Sequence, residues 1–359
     1  MSLFDINQFA LRLCHPFSYR HLEIAKKTLE QHSQRKEVWD GPTTGPKAAK
    51  DKKLVILAAD MGNGGIAGVT HGIQEAADLL GWDLSVIDGE GTAVGRTAVF
   101  GKALTLKADG LIINGFDSVE QKAGILLSQQ ANIPIVAWHA SEVNGPDPDN
   151  AIFANITTDA KQVAETAALW AYADANAKPG IVMVTDTTYQ IAIDKSEYIH
   201  ELLYQIGSEV IDFVDIPIAS VQEDMESIVA KLWKRHGKKW TYTIAINDIY
   251  FDYIAQALKQ AGAKNEDWPI SIAAGDGSAS AYQRIRDGLE QAITIAEPLN
   301  LQGWQMVDEM NRAFNGEPWS GYQTPMHLVT KGNVGFDGGE VNAFDPENAY
   351  REKYSAIWL

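Results

Sequence analysis

From Leu54 onward the chain alternates short runs of Val, Ile and Leu with longer helical stretches, a β-α-β rhythm sustained for some 240 residues. Strands are expected at 54–59, 84–88, 111–115, 133–138, 181–186, 209–214, 241–246, 270–274 and 292–296. Helices fit between them at 66–80, 96–107, 118–131, 159–175, 191–206, 221–236, 250–261, 279–288 and 299–315. Uninterrupted apolar runs of this kind suit parallel strands covered on both faces. Gly81, Gly207, Gly237, Gly262 and Gly316 fall where left-handed helix caps are needed. Nine strands exceed the eight of a single closed α/β barrel. The rhythm breaks once, at the turn-rich stretch 141–150. The expectation is therefore α/β with two doubly wound parallel-sheet lobes, the first near 54–155 and the second starting near 156. In such sheets ligands bind at the carboxyl ends of the strands, here in a cleft between facing lobes.

Outside this region, His21 to Gln34 reads as one amphipathic helix and Glu37 to Lys53 as a linker. Tyr350 to Trp358 reads as a helix that docks on a lobe. The formal net charge of −17 lacks the basic footprint of a nucleic-acid binder, so no nucleic-acid partner is expected. A single cysteine, Cys14, excludes an internal disulfide and a cysteine zinc cluster. The N-terminus shows no signal peptide, which fits either a cytoplasmic protein or a mature domain whose leader has been removed.

Polar residues gather at the expected strand ends: Asn63, Asn114, Asp117, Trp138 with His139, Asn247, Asp248, Asp276 and Glu297. Asp117 and Asp248 also read as caps. Amides and carboxylates directed into one cleft suit a polyhydroxylated ligand, and the faces of Trp138, Tyr189 and Trp240 suit its C–H surface. A rival reading is a dinucleotide site: Gly62, Gly64 and Ala67 fit G-x-G-x-x-A, and Asp88 ends the next strand. It predicts NAD binding and an oxidoreductase. The eight histidines form no metal pattern, and neither a G-x-S-x-G elbow nor a P-loop is present. No cofactor, no metal and no catalytic residue are expected.

The phrases Gly72-Ile-Gln-Glu-Ala-Ala-Asp, Ala108-Asp-Gly-Leu-Ile-Ile-Asn114, Ala131-Asn-Ile-Pro134, Ala245-Ile-Asn247-Asp248, Gly275-Asp276-Gly277 and Ile295-Ala-Glu297-Pro298 occur in order. On these the chain from Leu54 to about Thr330 resembles the type I periplasmic sugar-binding proteins, the ribose-binding-like group served by ABC importers. The resemblance implies two lobes joined by three hinge crossings, with ligand trapped on closure. It implies lobes of 54–155 plus 298–325 and 156–297 plus 326–340, with an extension over 1–53 and a tail over 341–359. Asn63 matches a ligand-binding Asn of the first loop, Asn247 the second-lobe Asn, and Asp276 the Asp that grips sugar hydroxyls. Glu297 stands where the family usually has Gln. The chain departs from the family at Gly64-Gly65, where aromatics are common, and at His139-Ala140, where an Asp-Arg pair is common. Lys195 lies two positions past the aligned place of a sugar-gripping Arg. With these departures the site need not bind ribose, and the expected ligand is a sugar alcohol or other small polyol, or an aldose. The expected ligand set is Asn63, Asp117, Trp138, His139, Tyr189, Lys195, Asn247, Asp276 and Glu297. The expected protein is a periplasmic, monomeric, non-enzymatic solute-binding protein that hands its ligand to a permease, with a receptor subunit for a sensor kinase or chemoreceptor as the alternative. The same lobes occur in LacI-type repressors, but residues 4–53 lack a helix-turn-helix.

Overall fold

The structure is a computed structural model and describes residues 19–175 and 179–359; Cys14 and the start of the chain lie outside that range. All nine expected strands form. The first sheet comprises β1 (Lys53–Ala58), β2 (Asp83–Asp88), β3 (Gly110–Asn114), β4 (Ile135–Trp138), β5 (Gly145–Asp147) and β6 (Ile152–Ile156). The second comprises β7 (Gly180–Thr185), β8 (Glu209–Asp215), β9 (Tyr242–Ala245), β10 (Ile270–Ala273), β11 (Gln291–Ala296) and β12 (His327–Thr330). Their spatial orders are β2-β1-β3-β4-β6-β5 and β12-β11-β10-β9-β7-β8. Only β5 and β12, each at a sheet edge, run antiparallel to their neighbours. Central β1 and β3 are buried almost throughout, whereas edge strands β2 and β8 expose alternate residues. That difference is why the central strands read as continuous apolar runs.

The helices are α1 (Tyr19–His32), α2 (Gly64–Leu80), α3 (Ala93–Thr105), α4 (Lys122–Gln130), α5 (Ala160–Asp174), α6 (Gln190–Gln205), α7 (Val221–His236), α8 (Phe251–Gln260), α9 (Ala279–Asp287), α10 (Leu299–Asn315) and α11 (Tyr350–Trp358). The five glycines expected to end helices all have positive φ. Three strands escape the periodicity reading. The stretch 141–150 is not simply a turn-rich gap, because β5 pairs there with β6. β12 likewise closes the far edge of the second sheet against β11.

Three connections join the lobes, at 157–159, 297–298 and 316–326. Although it follows β11 in sequence, α10 packs in the first lobe: Leu301, Met306, Val307 and Met310 share a core with β1, β3 and β4. It crosses α2 so closely that a Cβ on Gly72 would lie 2.4 Å from the Asn300 carbonyl oxygen, and one on Gly303 would lie 2.5 Å from the Ile73 nitrogen. We expect Gly72→Val to force these helices apart at a cost of about 1–3 kcal/mol, read as a lowered midpoint in urea unfolding.

Both terminal extensions also pass between lobes. Ala25 of α1 shares the second-lobe core with α5. The segment after α1 then lies along the first lobe, where Ala49 N–H donates to Asn311 Oδ1 at 2.8 Å and Trp39 packs on Tyr322 and Tyr354. At the other end, Phe344 packs with Tyr282 in the second lobe, whereas α11 buries Tyr354 and Trp358 against Trp304 of the first. The expected linker and tail are thus packed straps.

Candidate functional site

The carboxyl ends of both sheets face one interlobe cleft of about 560 Å3, counting the space at its mouth. Its walls include Asp60, Asn63, Trp138, His139, Tyr189, Lys195, Asn247 and Asp276. Seven of the nine residues expected to touch ligand therefore meet here, with Ile66, Ile191, Ile218 and Ile246 as apolar wall. Glu297 stands directly behind them and is 1 % exposed.

Each polar group is held by its own element. Asn63 ends the β1–α2 loop and caps α2, its Oδ1 accepting from Gly65 N–H at 2.9 Å. Asn63 also lines the cleft. Asn247 likewise spends Oδ1 on Ile249 N–H at 3.0 Å and donates Nδ2 to Asp276 Oδ2 at 2.7 Å. Trp138 and His139 stack with ring centroids 3.8 Å apart. His139 Nε2 lies 3.1 Å from Glu297 Oε2. Lys195 enters from α6, donates to the Ala274 carbonyl at 3.2 Å, and places its ammonium 4.0 Å from Glu297 Oε1.

Burial penalises the charge on Glu297, but the charge and hydrogen bond of His139, with Lys195 and Gln302, outweigh that penalty and hold the carboxyl down at about 2. Asp276 goes the other way. Burial and the nearby Glu297 charge raise its pKa, against the opposing pull of Lys195, His139 and Asn247. Tyr189 is pushed up to about 12 by burial. His139, Asp276 and Glu297 bring one ligating atom each within 4.8 Å of one another, a donor set that suits a divalent cation. The Lys195 ammonium already supplies positive charge at that spot.

Asp117 corrects the expected ligand set. It does not line the cavity, because its carboxylate is consumed by backbone amides: Oδ1 accepts from Val119 and Glu120 N–H, and Oδ2 from Gln190 N–H at 3.1 Å. Gln190 belongs to the opposite lobe, so Asp117 is a clasp between lobes. Tyr198 donates to Glu142 at 2.8 Å across the same gap, and Arg96 sits 5.5 Å from the Tyr189 ring centroid. The lobes are closed.

Asp248 is not the cap its position suggests, because Asn247 caps the short helical turn that follows. It is fully buried and accepts from Gly277 N–H (2.8 Å), Ser278 N–H (3.0 Å) and Gln291 Nε2 (2.7 Å), which fixes the loop carrying Asp276. Replacing it with Ala leaves those donors unpaired, and we expect a loss of about 3 kcal/mol in urea unfolding. Burial pushes the Asp248 carboxyl up to about 6. Between its ordinary value and that one, the folded chain holds more protons than the unfolded chain, so this group adds stability as pH falls through 6. Asp248→Asn is expected to flatten that part of the stability profile.

The dinucleotide reading meets a steric obstacle. Asn63 itself caps the α2 N-terminus, and a Cβ on Gly65 would lie 2.5 Å from Asp276 Oδ2, so the second lobe stands where a pyrophosphate would sit. Asp88 spends Oδ1 on Met61 and Glu90 N–H rather than presenting it to a ribose.

A family model described as a periplasmic binding protein domain matches residues 54–318. No curated protein sequence matches the chain. Among solved structures, a sugar ABC transporter protein from Yersinia enterocolitica superposes with a TM-score of 0.72 at 16% identity, covering 88% of this chain and 98% of that one. A galactofuranose binding protein gives 0.68 at 17% identity, covering 86% and 100%. An ABC transporter solute binding protein from Agrobacterium vitis with bound allitol gives 0.66 at 17%, covering 79% and 97%. Identities this low speak to the fold, and the family match spans most of the chain. The chain belongs to the periplasmic binding protein family.

Proposed function

We propose that this protein captures a small, uncharged sugar or sugar alcohol between its lobes and presents the closed form to the permease of an ABC importer. The observation that carries this reading is the polar floor of the cleft, whose groups are already partnered within the protein. The Lys195 ammonium lies against Glu297, and Asp276, whose carboxyl burial pushes up, is bonded to Asn247, so the floor calls for no ligand charge. Around that floor stand two side-chain amides, Asn63 and Asn247, with the aromatic faces of Trp138 and Tyr189 beside them. Such a site recognises hydroxyls by hydrogen bonds and the C–H face of a sugar by packing. The similar structures, one described as a galactofuranose binding protein and one with bound allitol, support the same ligand class.

The mechanism follows from the two-lobe geometry. Ligand held by Asn63 and Trp138 on one side and by Lys195, Asn247 and Asp276 on the other has contacts that exist together only on closure. Its differential affinity then shifts the equilibrium toward the closed form. The clasps Asp117–Gln190 and Glu142–Tyr198 add to that state. The protein works as a monomer in the periplasm, and it releases its ligand chemically unchanged.

Calorimetry with pentoses, hexoses and their alditols tests the reading. At least one compound is expected to bind at one per chain with a Kd of roughly micromolar or below. Failure of the whole panel, together with quenching of tryptophan fluorescence by NADH, would transfer the cleft to the oxidoreductase reading.

A further inference from the structure

Gln302 lies on α10, one turn inside the helix and fully buried, and it does not line the cleft. Its carboxamide is nevertheless bonded to the end of β4 and to two of the three connections between lobes. Oε1 accepts from Trp138 Nε1 at 2.9 Å, at the end of β4. Nε2 donates to Glu297 Oε2 at 2.8 Å, in the second lobe connection, and to Thr324 Oγ1 at 3.0 Å, in the third. Glu297 Oε2 thus receives Gln302, while His139 Nε2 sits astride the carboxylate, 3.1 Å from Oε2 and 3.0 Å from Oε1; Oε1 is buried, makes no hydrogen bond of good geometry, and has the Lys195 ammonium 4.0 Å away. Contacts of this kind leave lone-pair capacity on Oε1 unused, and a hydroxyl brought by a ligand would satisfy it.

We propose that Gln302 is the positioning residue of this site: by tying Glu297 Oε2 in the hinge to the Trp138 indole at the end of β4, it turns Glu297 Oε1 toward the ligand as the acceptor for one hydroxyl. This rests on the binding reading given above. The amide is suited to the task because it donates to the carboxylate and accepts from the indole at once. A hydroxyl bound at Oε1 is thereby bonded, through one carboxylate and one amide, to the second and third connections between lobes.

The test needs two variants and a ligand-free readout. Gln302→Met keeps the shape and removes all three hydrogen bonds. Gln302→Glu keeps an acceptor for Trp138 but sets a carboxylate against Glu297. NMR follows the Glu297 carboxyl carbon, assigned with Glu297→Gln, and the Trp138 indole N–H, assigned with Trp138→Phe. The Glu297 titration is expected to move up in both variants. The indole resonance is expected to shift upfield in Gln302→Met and to stay near its wild-type place in Gln302→Glu. With D-ribose and allitol as probes, whichever binds the wild type is expected to bind Gln302→Met roughly tenfold more weakly. An unchanged Glu297 titration in both variants overturns the assignment, as does undiminished probe affinity in Gln302→Met. If neither probe binds the wild type, that result counts against the binding reading, and the Glu297 titration alone decides the role of Gln302.

Discussion

Asp276→Ala is expected to weaken ligand binding by about a hundredfold while leaving the fold intact. The residue sits between β10 and α9, and Asn247 clamps its Oδ2 at 2.7 Å. The carboxylate is therefore oriented before ligand arrives, and little ordering remains to be done on binding. A hydrogen bond to a charged group contributes about 1.5–3 kcal/mol, so losing the grip on one or two hydroxyls removes about 3 kcal/mol, which is roughly two decades in Kd. Stability should move the other way or not at all. Burial and Glu297 raise the pKa of Asp276, which means that its charge is a net burden on the folded state near neutral pH. Calorimetry and urea unfolding on the same variant check both halves. A variant that binds as tightly as the wild type shows that Asp276 does not hold the ligand, whatever its burial.

Lys195→Met is expected to give the largest loss of stability among single changes in the cleft, about 3–5 kcal/mol at pH 7. Lys195 is 3% exposed, and its ammonium stands 4.0 Å from Glu297 and opposes the raised pKa of Asp276. Methionine fills similar space but leaves two carboxylates, Asp276 and Glu297, facing His139 alone. The deficit should shrink as pH falls. The folded-state pKa of Asp276 already lies above its ordinary value, so the folded chain takes up a proton there before the unfolded chain does, and removing Lys195 raises that pKa further. Acid therefore neutralises the unpaired carboxylate and restores part of the stability. Glu297 contributes in the opposite sense. Its depressed pKa adds stability above its ordinary value of 4.5, which is lost only as pH falls toward 2. Unfolding in urea at pH 7 and pH 5 separates these directions. Equal deficits at both pH values would mean that Lys195 acts by packing and not by charge.

The two-lobe α/β architecture was legible because buried parallel strands leave an unbroken apolar run, as in Leu54–Ala59 and Leu111–Ile113, with helix-length spacing between them. Two of the three strands that escaped lack that texture; the third, β6, is a short apolar run that directly follows the turn-rich stretch 141–150. β5 is only Gly145-Pro-Asp, and β12 is a four-residue edge strand whose partner, β11, is already accounted for as a parallel strand. The site was legible to the extent that strand ends converge, which brought Asn63, Trp138, His139, Tyr189, Lys195, Asn247 and Asp276 to one cleft. The roles within it were less legible, because one residue type serves two ends. A carboxylate at a strand end can grip a ligand, as proposed for Asp276, or fasten backbone amides, as Asp117 and Asp248 do. Gln302 left no local trace at all. Its partners Trp138 and Thr324 lie 164 and 22 residues away, and nothing in the phrase Leu301-Gln302-Gly303-Trp304 distinguishes it from a surface amide. The straps from the two termini were also hidden, because their contacts, such as Ala49 with Asn311, are fixed by tertiary packing and not by periodicity.

Native mass spectrometry of the protein incubated with the sugar and alditol panel tests the central claim most directly. A one-to-one adduct with a neutral polyhydroxylated compound is expected, strongly depleted in Asp276→Ala at the same ligand concentration, and denaturation is expected to release the compound at its original mass. Recovery of a compound altered in mass, or an adduct that survives unchanged in Asp276→Ala, would contradict it.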